Sequence, residues 1–149
     1  MIAQWPKPET FYLGVALAIA TEAHAGQKYG TQDYIEHPKR LAAKFNSAAL
    51  KIIALLHDTV EDGKITVNDI AIAFDWATAE VVDILTRKPG QLYMEDYIPK
   101  IAENEAARQV KIEDLKDHIT HMEAFPENKK KLPRYYTALA ILESYKNES

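Results

Sequence analysis

The chain has 149 residues, 47% of them hydrophobic, a formal net charge of −4 and no cysteine. That is material for one domain with one core. The charge argues against a dedicated nucleic-acid binder, which carries a basic face. Without cysteine, disulfides and thiolate metal sites are excluded, so any metal must sit on His, Asp or Glu. The same lack is compatible with a cytoplasmic location.

The period along the chain is helical. Thr10 is a candidate N-cap for a first helix to about Ala25. Its apolar run, Phe11 to Ala20, is too short to span a bilayer, and Lys7 offset by Glu9 is not the basic lead of a signal peptide. A buried helix is the better account. Gly26 breaks it, and Gly26 to Glu36 reads as an irregular loop. Pro38 suits the first turn of a second helix reaching about Phe45. Asn46 or Ser47 caps a third, apolar on most sides from Leu50 to Leu56 and therefore central.

Thr66-Val-Asn-Asp69 resembles a capping box and opens a short helix to Phe74. Ala77 to Leu85 continues in helical period, and Pro89-Gly90 is a turn. Tyr93 to Ala102 is a further helix that Pro99 must bend or shorten. Asn104 caps a long helix through roughly Met122. Pro126 to Lys131 is a polar linker, and Leu132 to Tyr145 closes as an amphipathic helix. The nearest strand signal, Lys64 to Val67, is very short. The fold class is all-α, a bundle of about seven or eight helices over residues 1–149.

Polar residues then stand out against this apolar background. His57-Asp58 follows the most apolar helix, and Glu61 and Asp62 come directly after. Three carboxylates and an imidazole within HDTVED ask for a cation, because packed carboxylates repel. On the long helix Asp114, His118 and His121 share one face at spacings of four and seven, with Asp117 another partner for His121. His37-Pro38 stands at a helix start, and His24 near the end of the first helix. Imidazole with carboxylate suits Mn²⁺, Fe²⁺, Co²⁺ or Zn²⁺, and such a metal can polarise a phosphoryl oxygen.

Each feature also has a plainer account. HDTVED alone could be a solvated helix end, and Asp114 with His118 a surface pair. His24 reads as a hydrogen-bonded structural residue and His121 as helix surface.

Together these residues resemble one pattern. The order H…HD…D of the HD-superfamily phosphohydrolases falls on His37, His57, Asp58 and Asp114. The chain is similar in particular to the hydrolase domain of RelA/SpoT-type enzymes and their small stand-alone relatives. The stretches are His24-Ala-Gly-Gln27, Tyr34-Ile-Glu-His37-Pro38, Ala54-Leu-Leu-His-Asp-Thr-Val-Glu-Asp62, Ile84-Leu-Thr86 and Val110-Lys-Ile-Glu-Asp114.

The resemblance implies an all-helical HD bundle. It implies a divalent metal, usually Mn²⁺, on His37, His57, Asp58 and Asp114, and water oriented or activated by Glu61 and Asp62. The implied reaction removes the 3′-pyrophosphate of the alarmone (p)ppGpp, giving GDP or GTP and pyrophosphate. The length leaves no room for the synthetase domain of the bifunctional enzymes. The partner implied is a small nucleotide, with no nucleic acid and no membrane.

The pattern changes where substrate would be met. The family's loop carries an Arg-Lys pair; here Lys28-Tyr29 replaces it, and Tyr29 could stack on a base. His118 stands where the family has Asn, and Leu115 where it often has Arg. Lys28, Tyr29, Lys111 and His118 are the candidates for substrate contact, with Lys116 a further cation. Two rivals remain: an HD phosphohydrolase of another nucleotide, such as a nucleoside phosphate or the 2′-phosphate of NADPH, and a non-catalytic nucleotide-binding protein.

Overall fold

A computed structural model describes residues 5–122 and 126–145. Among them are eight α-helices: α1 (Glu9–Ala23), α2 (Glu36–Ala43), α3 (Ala48–Leu56), α4 (Val67–Ala73), α5 (Trp76–Leu85), α6 (Ile98–Ala102), α7 (Glu105–Thr120) and α8 (Leu132–Ser144). The all-helical class expected from the periodicity is the one found. No helix among the described residues is long and apolar enough to cross a membrane.

α3 is the axis of the assembly. Five consecutive side chains, Ile52 to Leu56, are buried, so no face of its second half meets water. It packs against α1, α2, α5 and α7. α1 brings Tyr12, Ala16, Ala20 and Ala23, one stripe at helical spacing. Leu41 comes from α2, Ile98 and Ile101 from α6, Leu115 from α7 and Leu142 from α8, all at most 1% exposed. Burial of each large aliphatic side chain is worth about 1.5–3 kcal/mol, so this core carries most of the folding drive.

The ends are set by local chemistry. Ser47, Asp75 and Asn104 accept from the third backbone N–H of their helices, and Thr66 and Asp69 form the reciprocal capping box. The strand signal at Lys64 to Val67 gives way to that cap.

Four segments differ from expectation. α1 starts at Glu9 after an extended Pro8 rather than at Thr10, and stops at Ala23. The loop after Gly26 holds a two-residue hairpin, β1 (Lys28–Tyr29) against β2 (Gln32–Asp33), in register Lys28↔Asp33. Gly30 supplies the positive φ of 65° its turn requires, and the Lys28–Asp33 ion pair at 2.7 Å closes it. Tyr93–Tyr97 is a π-helical turn, and Pro99, with no N–H to offer, sits in the first turn of α6 rather than bending a longer helix. Pro126–Lys131, read as a linker, is a 3₁₀ helix.

Leu56→Ala is expected to cost about 2–5 kcal/mol of unfolding free energy, against about 1 kcal/mol for Thr66→Ala at the capping box. Urea unfolding measures both; equal losses would contradict the central place given to α3.

Candidate metal centre

Three helices meet at one buried point. The first turn of α2 delivers His37, the end of α3 delivers His57 and then Asp58, and the middle of α7 delivers Asp114. One donor atom from each lies within 4.8 Å of the others. Both imidazoles are at most 2% exposed.

The tautomers follow from the hydrogen bonds. His57 Nδ1 lies 2.7 Å from the Ala54 carbonyl oxygen, which can only accept, so Nδ1 carries the proton. Nε2 then turns toward the carboxylates, 3.0 Å from Asp58 and 3.3 Å from Asp114, without hydrogen-bond geometry to any partner among the described residues. A lone pair facing two carboxylate oxygens is stable only with positive charge between them. His37 is built alike: Nδ1 faces Asp117 at 2.7 Å and Nε2 faces Asp114 Oδ1 at 2.8 Å. The donor set therefore suits a divalent cation.

The electrostatics agree. Burial disfavours a charged His57, but Asp58 and Asp114 outweigh it and hold its pKa well above the ordinary imidazole value. Burial likewise opposes ionised Asp58 and Asp114. His57 overrules it for the first, and Lys111 with the nearby histidines for the second, so both carboxyls titrate below their usual range. The cluster draws positive charge, whether proton or metal.

A second layer of polar contacts fixes it. Arg40 grips Asp117 with two bonds, Nε to Oδ1 at 2.9 Å and an Nη to Oδ2 at 3.0 Å. Asp117 in turn orients His37. Lys111 Nζ holds the outer oxygen of Asp114 at 2.9 Å, and the Tyr34 hydroxyl donates to Asp58.

A cavity of about 520 Å³ opens over the cluster, with Asp58, Asp114, Glu61, Asp62 and His118 in its wall. Residues 57–62 are a run of turns rather than a helix, yet both acids of the Glu-Asp pair face the same space as Asp58. Glu61 Oε1 accepts the Arg87 backbone N–H at 3.2 Å, and burial is the main cause lifting its carboxyl above the usual range. Asp62 accepts from Gln27, whose Oε1 lies 3.0 Å from His24 Nδ1.

The substrate candidates separate. His118 lies in the wall, 3.4 Å from Asp114. Lys111 lines the cavity but is engaged by Asp114. Lys28 is spent on Asp33 at the exposed hairpin. Tyr29, expected to offer a face to a base, is 1% exposed and stacks on His37 at 4.6 Å and 11°; the hairpin turns it inward against the metal centre. Lys116 pairs with Glu113 and Glu143 away from the cavity.

Sequence reasoning missed the Arg40–Asp117 pair, and it favoured a structural part for His24 while leaving open whether His24 reaches the site; His24 lines the cavity with its Nε2 unpartnered among the described residues. The spacing of three from Asp114 was the available signal for Asp117, which instead stood as a partner for His121. His121 bonds the Asp117 carbonyl and stays out of the cavity.

No family model matches the chain. It is 32% identical over 128 residues to a guanosine-3′,5′-bis(diphosphate) 3′-pyrophosphohydrolase of Aquifex aeolicus (strain VF5), covering 78% of this chain and 18% of that protein. The chain thus spans about a fifth of the length of the curated relative it matches. Its fold is that of a metazoan ortholog of SpoT that hydrolyzes ppGpp and plays a role in starvation responses, with a TM-score of 0.76 at 18% identity over 97% of this chain and 90% of that one.

Removing the carboxylate behind a metal-facing imidazole typically weakens metal binding about 10–100-fold. Asp117→Asn is therefore expected to weaken the binding of an added divalent cation to metal-stripped protein in that range by calorimetry, and Arg40→Gln to do so less. An unchanged Kd in Asp117→Asn would rule out its orienting role.

Proposed function

We propose that this chain is a cytoplasmic, Mn²⁺-dependent nucleotide phosphohydrolase whose substrate is (p)ppGpp, releasing pyrophosphate and GDP or GTP. The observation that carries the reading is the convergence of His37, His57, Asp58 and Asp114 beneath a cavity that also holds Glu61 and Asp62. The similarity to a pyrophosphohydrolase of this substrate supports it.

His37, His57, Asp58 and Asp114 would hold the metal, which when bound would supply Lewis-acid polarisation of the phosphoryl group. The chain's own residues do the rest. Glu61 and Asp62 orient a water molecule and take its proton as its oxygen bonds to phosphorus. The bond from phosphorus to the 3′-oxygen breaks, and that oxygen leaves as the hydroxyl, protonated by the carboxyl that took the water proton or by solvent. Glu61 is suited to the work because its partial burial makes it a stronger base than a solvated carboxylate. Gln27 and the Arg87 backbone N–H keep the two carboxylates in place, and His118 is within reach of a ribose or phosphate oxygen.

One observation favours a second reading, hydrolysis of a different nucleotide. The hairpin turns Tyr29 inward and spends Lys28 on Asp33, so the loop offers substrate no free basic pair. A panel with ppGpp, nucleoside phosphates and NADPH separates the two.

Metal-stripped protein is expected to release pyrophosphate and GDP from ppGpp only after Mn²⁺ is added, and Asp58→Ala to lose at least about 100-fold in kcat/KM. Turnover of another nucleotide in place of ppGpp would move the assignment to the second reading, and binding without turnover would leave a nucleotide-binding protein.

The pH profile gives an independent check. Protonation of Glu61 removes the base, and its carboxyl titrates above the solvent value of about 4.3. The acid limb of kcat/KM is expected above that pH and to disappear from the residual rate of Glu61→Gln; a limb unmoved by the substitution would assign it to another group.

A further inference from the structure

Two arginines near the cavity have no acidic counterpart. Arg87 lines the cavity; its Nε donates to the Gln91 carbonyl at 3.1 Å, and its guanidinium carbon stands 5.5 Å from the centre of the Tyr93 ring. Arg134, from α8, lies 4.2 Å from the centre of the same ring. Neither guanidinium is within ion-pair distance of a carboxylate among the described residues, in a chain where 22 acidic side chains outnumber 18 basic ones. Arg134 Nε and the Tyr93 hydroxyl are both buried with no hydrogen-bond partner among the described residues.

Two guanidinium groups against one neutral ring leave their charge unneutralised there, and buried donors left unpaired carry a desolvation cost. An anion with several acceptor oxygens would relieve both, and a phosphate fits the forked geometry of arginine. Arg87 and Tyr93, the latter within the π-helical turn, line the cavity above the metal cluster, and Arg134 is held against the Tyr93 ring beside it. The lysine in the wall, Lys111, is engaged by Asp114.

We infer that Arg87, Arg134 and the Tyr93 hydroxyl form a phosphate subsite for the non-reacting 5′-phosphoryl arm of a nucleotide whose 3′-phosphoryl group is hydrolysed at the metal cluster. The inference rests on the hydrolase reading above and narrows its substrate to nucleotides phosphorylated at two separate positions. It places the cationic recognition on the segment after α5 and on α8, rather than on the hairpin.

Two measurements test it. GDP, which carries the 5′-diphosphate alone, is titrated into the protein by calorimetry; Arg87→Gln and Arg134→Gln are each expected to weaken its binding about tenfold, the usual scale for one charged hydrogen bond. In turnover, the kcat/KM ratio of ppGpp to guanosine 3′-diphosphate is expected to fall by a similar factor. Arg87→Lys and Arg134→Lys, which keep charge but lose the fork, should lie between, with melting curves as the folding control. GDP binding equally to all variants, or to none including the unsubstituted protein, would overturn the subsite. Arginine-dependent GDP binding without ppGpp turnover would instead retain the subsite and reject the hydrolase reading.

Discussion

Buried negative charge organises this molecule. Asp114, nearly buried, and Asp58, with less than a quarter of its side chain exposed, sit against two imidazoles, a placement that is costly unless positive charge is held among them. Every element that reaches the point contributes to that balance. α2 brings His37 and Arg40, α3 ends on His57, and α7 carries Lys111 and Asp117 beside Asp114. The apolar core around α3 lets three helices approach closely enough for these charges to meet. Packing is the scaffold, and the charge balance explains why such polar residues stand where apolar ones would be more stable.

The contacts around the cluster also divide the labour between its two faces. The histidines lie behind, each with Nδ1 committed to an acceptor in the protein, so that only Nε2 faces the cluster. The carboxylates lie in front and line the cavity. A ligand entering from solvent meets oxygen, and the softer nitrogen donors hold the rear. That arrangement leaves the oxygen donors on the cavity side and the nitrogen donors packed within the protein.

The sequence made the central parts legible because they are local. HDTVED is a single segment, the apolar run before it marks the central helix, and the caps at Ser47, Thr66 and Asn104 are short-range chemistry. What was not legible depended on distance or on direction. Arg40 meets Asp117 across 77 positions, and only the folded pair shows why either is there. Tyr29 has the right residue type for stacking on a ligand, but the hairpin reverses its direction. The π-helical turn before Pro99, in which the Tyr97 N–H reaches the Leu92 carbonyl and the Ile98 N–H the Tyr93 carbonyl, is a backbone choice that composition does not encode. The segment 123–125 lies outside the described residues.

The inward turn of Tyr29 has a wider consequence. In many enzymes a surface hairpin is a module: its tip can vary and the chemistry beneath is untouched. Here the strand that forms the hairpin also supplies the ring lying flat on His37, with Arg40 5.3 Å from the same ring's centre. Selectivity and metal chemistry are therefore not separable parts along this stretch. A loop transplanted from a relative would change the cover over the His37 imidazole as well as the residues at the rim.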